Sequence, residues 1–375
     1  MSRFIISAGR RFGRFGVLFF VVPAAIIFCI WMSLLDSHPV WFIACGFLVM
    51  PISTTAAAFL FGTLFAGFRR SKIKGVSRAE APGLWDQWEK VAGPRRAART
   101  VIALEDSLNA GVREERTLLG LLGRRLFLTV GIPLLVVTDE NALAAILAHE
   151  DAHVRNKDTN GGLNLAEFEN SFGFVFEYAP PGVTISGSLL HAAIGWLSES
   201  FEREDIRLSR EAEIKADRHA ATSGNAEQAA RALLLVAAAD VHFAEKVYEP
   251  LRREVMGALR PPRPPLARLL EAAGELSQAQ YLNACAQKAW VRPDDGKSTH
   301  PSWAQRLAAL GYVEAPEIAP IRRTALSTLL SPDTVEQQIA AFDSRWTGRW
   351  RTISNAEGSC RTLPRQHPAV RSPYS

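Results

Sequence analysis

Two apolar runs near the start leave this chain few ways to fold. Residues 15–35 form an uncharged stretch of twenty-one and residues 40–68 one of twenty-nine. Each exceeds the roughly 20 residues needed to cross a hydrocarbon core. Only Asp36-Ser37-His38-Pro39 separates them, so a helical hairpin is expected. Gly46, Pro51 and Gly62 in the second run are tolerated where a partner helix packs alongside. A cleaved signal peptide fits poorly, because the first run is long, lacks a small-residue cleavage site and is followed at once by a second span. Arg3, Arg10, Arg11 and Arg14 precede the hairpin, and Arg69, Arg70, Lys72, Lys74 and Arg78 follow it. The positive-inside rule then places both flanks in the cytoplasm. The expectation is an integral, multi-pass membrane protein in contact with the lipid bilayer, with its main domain cytoplasmic; in a prokaryote the membrane would be the inner one.

The net charge of +5 belongs to this topology and does not point to nucleic acid. Residues 1–80 hold nine basic and two acidic side chains, which leaves the rest with 34 basic and 36 acidic. The pairs Arg95-Arg96 and Arg124-Arg125 carry no interleaved aromatic platform for bases, so no nucleic-acid partner is expected. Of the four cysteines, Cys29 and Cys45 lie in the apolar runs and Cys285 and Cys360 lie far apart. No disulfide framework or cysteine-ligated zinc follows from that spacing.

The chemistry is concentrated in His149-Glu150-Asp151-Ala152-His153. Histidines at i and i+4 project from adjacent turns of one helix face, so two neutral imidazoles can bind one Zn²⁺ while Glu150 reaches water at that ion. Thr138 or Asp139 can cap this helix, and Leu143, Ile146, Leu147 and Val154 recur at its period. A third ligand is sought in a second apparent helix, from about residue 201 to 222, ending at Gly224. Glu211 and Glu213 compete there and point to nearly opposite sides. Glu213 shares its face with Ala216, Asp217 and Ala220, small residues that permit close helix approach, so Glu213 is the expected ligand and Glu211 a solvated charge. Asp217, one turn on, is placed to hydrogen-bond a liganding histidine and fix its tautomer.

These residues resemble the membrane-bound zinc metallopeptidases that include HtpX-like proteases and the CAAX prenyl endopeptidase. The resemblance runs from about residue 100 to 312. It covers residues 147–153, with Asp158 matching an aspartate that follows the family's helix, and the Glu213-Ile214-Lys215-Ala216-Asp217 segment. It also takes in Thr299-His300-Pro301 with Arg306-Leu307, and Asn109-Ala110 upstream. The resemblance implies a zincin-like peptidase domain holding one Zn²⁺ per chain, and a histidine, here His300, that donates to the developing oxyanion. A plain helix-cap role for His300 is the rival. Asp151-Ala152 departs from the small or apolar pair of many members, and Asp151 is expected to face solvent.

The fold expected is mainly α with a small β-sheet, an α+β peptidase domain preceded by a two-helix transmembrane hairpin. Its parts are residues 1–75 for the hairpin, 76–315 for the peptidase domain, and 316–375 for a helical extension and disordered tail. Residues 99–104 and 126–137 read as strands, the second broken by Gly131-Ile132-Pro133, with its last stretch running straight into the metal-binding helix. Trp85 and Trp88 share a helix face and are expected to pack or to anchor at the interface. Residues 172–178 and 183–197 are read as short membrane-associated or buried pieces, the second too short as a helix to span a bilayer. The implied function is a zinc endopeptidase acting on protein or peptide substrates near the cytoplasmic membrane face, in membrane-protein quality control. The alternative is a non-catalytic, membrane-anchored metal-binding scaffold. Nothing in the sequence sets the oligomeric state.

Overall fold

The computed structural model describes residues 7, 11–12, 15, 18–66, 74–116, 124–156, 158, 182–183, 185–223, 225–258 and 260–357. The hairpin consists of α1 (Leu18–Ser37) and α2 (Pro39–Ala66), with His38 the one non-helical residue between them. Both are long and apolar enough to cross a membrane. Their packing centres on Trp31, whose indole lies flat against Phe42 at 4.3 Å and donates its N–H to the Phe42 carbonyl at 2.7 Å. Gly46 leaves room for this ring, since a Cβ there would meet Trp31 at 3.2 Å. Pro51 removes one N–H from the α2 hydrogen-bond ladder, and its own carbonyl also accepts from the Thr55 hydroxyl at 2.7 Å.

The main domain begins with α3 (Pro82–Ala92) and α4 (Pro94–Ala97), each started by a proline whose missing N–H is harmless in a first turn. Trp88 is completely buried on α3 and donates to Thr100 Oγ1 at 2.9 Å, while Trp85 donates to the Val76 carbonyl at 3.1 Å. The two tryptophans therefore pack the core. Strands β1 (Thr100–Glu105), β2 (Ala110–Arg116) and β3 (Arg124–Gly131) form a sheet of order β1-β3-β2, parallel between β1 and β3 and antiparallel between β2 and β3. Sequence reading assigns no strand to residues 110–116, four of which are charged. Their burial nonetheless alternates, with Ala110, Val112 and Glu114 inward, which is the period of a strand.

The strand expected to run to residue 137 instead stops at Gly131. A side chain there would collide with the Ser107 carbonyl at 1.7 Å, so the loop crosses where only glycine fits. Pro133 then starts the short helix α5 (Ile132–Val137), which is buried at nearly every position and separates the sheet from α6 (Glu140–Arg155).

A larger difference concerns the segment ahead of residue 201. Residues 185–223 form one helix, α7 (Ile185–Ser223), 39 residues or roughly 58 Å long at the usual rise. The change of sequence character at Ser198-Glu199-Ser200 brings no break in the helical backbone. Gly195 is tolerated within a helix otherwise free of proline. The first of the two pieces, residues 172–178, lies outside the described residues. Helix α7 touches both α2 and α6, so it links the hairpin to the main domain.

The chain continues through α8 (Ala226–Phe243), a π-helical turn (Ala244–Tyr248) and α9 (Glu249–Gly257). Then follow α10 (Pro265–Ala272), α11 (Ala279–Trp290), α12 (Trp303–Ala308), α13 (Ala325–Leu329) and α14 (Pro332–Glu357). Leu84, Trp88, Ile102, Leu128 and Leu143 share one core with Ala325, Leu329 and Phe342, so residues beyond 315 are built against the helices of the main domain. The tail expected after residue 355 lies outside the described residues from 358 onward.

Candidate metal centre

Helix α6 is capped as its sequence predicts, Asp139 accepting from the Ala142 N–H at 3.0 Å. Arg231 pairs with the same carboxylate at 2.8 Å. Leu143, Leu147 and Ala152 are fully buried, which fixes the rotation of the helix and aims His149 and His153 at one point. Their Nε2 atoms approach to 3.1 Å. Glu213, delivered by α7, comes within 3.6 Å of the first Nε2 and 3.5 Å of the second. Ala212, Ala216 and Ala220 line the same side of α7 and are buried, so the two helices can come this close. Glu211 is exposed and pairs with Arg207, as its opposite orientation requires.

The far side of each imidazole faces a carboxylate. Asp217 Oδ1 lies 2.9 Å from His149 Nδ1, and Asp158 Oδ2 lies 3.5 Å from His153 Nδ1. A proton held at each Nδ1 leaves the Nε2 lone pairs facing one another and Glu213. The two Nε2 atoms stand 3.1 Å apart and each faces a different oxygen of Glu213, Oε2 at 3.6 Å from His149 and Oε1 at 3.5 Å from His153, spacings of the size of the ~3.4 Å donor–donor edge around a tetrahedral zinc with ~2.1 Å bonds. Two imidazoles and one carboxylate also suit a catalytic metal with an open position. The donor set fits the ion.

Glu150 is 8% exposed and lies with both imidazoles in one compact group. Its Oε2 accepts from the Val112 N–H at 3.0 Å, so β2 passes alongside the site. Burial raises the Glu150 pKa; the two histidines and the Val112 amide oppose this without cancelling it. Burial resists charging of His153, yet Asp158, Glu213 and Glu150 together raise its pKa to about 10. His149 is raised in the same way by Asp217 and Glu213. With no cation present the two rings hold protons, and a bound cation must displace them.

Arg306 balances the acids. It donates to both oxygens of Asp217, at 2.8 and 2.6 Å, and its third nitrogen lies 3.3 Å from Glu213. All three side chains are buried. Burial alone would raise both acids, but Arg306 and the histidines hold Glu213 well below the usual carboxylate range and Asp217 at about 2. Sequence reading names Arg306 only as part of a motif. Nothing local in residues 303–310 reveals its partner, which lies 89 residues away.

Asp151 corrects the expectation that it faces solvent. It is 1% exposed and paired with Arg96 at 3.1 Å and with Arg155. It joins α6 to α4 on the side away from Glu150, and the signal that could have revealed it is the arginine one turn on at Arg155.

His300 sits in the loop before α12, half-exposed, with Nδ1 3.3 Å from Glu213. It caps no helix. Ser302 is the N-cap of α12 and forms a reciprocal box with Gln305, so the helix starts at Trp303. The remaining buried imidazole, His242, is satisfied by Tyr281 and the Ala272 carbonyl at 2.9 and 2.8 Å and belongs to the core.

The model of peptidase family M48 matches residues 115–314, a span that contains every one of these site residues except the Val112 amide and Arg96. Among solved structures, the chain is similar to the crystal structure of S. mikatae Ste24p at 15% identity and a TM-score of 0.35. That alignment covers 79% of this chain and 64% of the other, a little under two thirds of its length. A search of curated proteins gives no significant match.

Proposed function

The chain belongs to peptidase family M48, and from that premise we propose that this metallopeptidase is a membrane-anchored zinc endopeptidase cleaving proteins at or near the cytoplasmic membrane face. One observation carries the proposal: two imidazole nitrogens and the Glu213 carboxylate meet at 3.1–3.6 Å beside the buried Glu150. His149, His153 and Glu213 would hold the ion. Zinc bound there supplies Lewis acidity, polarising the scissile carbonyl and acidifying water.

The chain's own residues supply the proton handling. Glu150 takes a proton from the attacking water and returns it to the leaving amine. Its raised pKa makes it a better proton acceptor than an ordinary glutamate. Asp217 and Asp158 keep protons on the Nδ1 atoms, and Arg306 keeps Glu213 and Asp217 ionised. His300 turns Nδ1 toward Glu213, and an N–H at its Nε2 would donate to the developing oxyanion.

Membrane proteins are the proposed substrates, with quality control as the proposed purpose. The arginine and lysine residues on both flanks of the hairpin support the cytoplasmic placement. Contact of α7 with α2 ties the helix carrying Glu213 to the membrane-crossing element.

Full-length Glu150→Gln in detergent is the test. Zinc content at one ion per chain with turnover lowered by at least about 10³-fold is expected for loss of a general base together with its positioned water. Bound zinc with wild-type cleavage would remove the assignment. Covalent capture in cells carrying that variant is expected to enrich membrane proteins.

A further inference from the structure

We infer that Arg210 is a positioning residue for His300, acting as an ionic strap between α7 and the loop that carries the histidine. The inference rests on the proposed oxyanion role of His300. Loop residues 291–300 are exposed at every position but Thr299, so little apolar burial fixes their shape. Hydrogen bonds must therefore do so.

Arg210 provides them from one turn before Glu213. Its Nη1 and Nη2 grip both oxygens of Asp294 at 2.8 and 2.7 Å, and its Nε donates to the Ser298 carbonyl at 2.9 Å. All three guanidinium nitrogens are thus used, a planar fork that lysine cannot copy. About a fifth of each of the two paired side chains is exposed. Within the loop, Asp294 also accepts from the Gly296 N–H at 3.0 Å, where φ is +69° and glycine is the natural occupant. Asp295 accepts from Lys297 and Ser298 at 2.9 and 3.2 Å. The Ser298 hydroxyl accepts the His300 N–H at 3.1 Å. A continuous path therefore leads from Arg210 through Ser298 to the His300 backbone, and His300 Nδ1 returns to Glu213, three residues along α7 from Arg210. The same helix face sets both the third metal donor and the reach of the histidine.

Full-length Arg210→Met, Arg210→Lys, His300→Ala and the Arg210→Met/His300→Ala double variant would be compared. The readouts are kcat, KM, zinc content and hydrogen exchange of residues 291–302. Arg210→Met is expected to lower kcat about 10- to 100-fold, the loss typical of a displaced catalytic group. KM and zinc are expected to stay unchanged, exchange to accelerate in that loop alone, and Arg210→Lys to fall between. In the double variant kcat is expected to match His300→Ala, because the strap acts only through the histidine. A full multiplicative loss in the double variant, or unchanged loop exchange in Arg210→Met, would overturn the strap. Wild-type kcat in His300→Ala would overturn the oxyanion role and the strap together, and that result is distinct from additivity. If Arg210→Met fails to fold or bind zinc, Arg210→Lys decides by the same criteria.

Discussion

The hairpin and the metal centre invert one another. In α1 and α2 large apolar side chains point outward, with Phe47 85% and Leu48 70% exposed, and few residues are buried. Around the metal centre Glu150, Asp151, Glu213, Asp217 and Arg306 are all under 9% exposed. Each arrangement would be unfavourable in water on its own. The first is stable because lipid replaces water, and the second because every buried charge has a partner. Burial by itself therefore says little about stability in this protein, and the surrounding medium decides.

The sharpest way to break the contrast is to unpair the centre. Arg306→Met leaves Asp217 and Glu213 buried without their cation and is expected to destabilise the main domain by about 3–5 kcal/mol. Denaturant midpoints of the metal-free protein in detergent would measure it, and a loss comparable to a surface pair would show the network to be solvated.

The matching change in the hairpin is Phe47→Lys, near the middle of the Pro39–Ala58 span within α2. It is expected to disfavour insertion by about 2.5–3.5 kcal/mol, read as a drop in the membrane-inserted fraction. Unchanged insertion would mean that this face does not meet lipid.

Smaller effects should grade with distance. Asp217→Asn is expected to weaken zinc binding about 10- to 100-fold, and Asp158→Asn less, because the carboxylates lie 2.9 and 3.5 Å from their imidazoles. Competition with a fluorescent chelator gives both values, and a reversed order would contradict the geometry.

The smallest effect is a shift in a pH profile. Glu150 must be ionised to act, and its raised pKa means protonation inactivates it at a higher pH than for an ordinary glutamate. The acid limb of kcat/KM is thus expected above pH 4.5, activity falling as pH falls through it. Zinc release in acid, as protons reclaim His149 and His153, would be separated by measuring bound metal at each pH.

Features that depend on nearest neighbours along the chain were legible beforehand. The apolar runs, a cap at Thr138 or Asp139, the shared face of His149 and His153, and the opposite orientations of Glu211 and Glu213 all follow from local sequence and helical periodicity. The continuous α7 was missed because a change from apolar to charged surroundings at residues 198–200 resembles a boundary. Strand β2 was missed because its charged residues conceal an alternation that only packing exposes.

The order of residues along the chain thus determined which side chains could share a helix face and which stretches were long enough to cross a bilayer, since both depend on a fixed rise and turn per residue. Tertiary structure alone decided that Arg306 meets Asp217, that the Val112 amide meets Glu150, that Asp151 turns inward to Arg96, and that Arg210 holds the His300 loop. Those pairings join segments up to 89 residues apart. They arise from how helices and strands stack, and no local period encodes that.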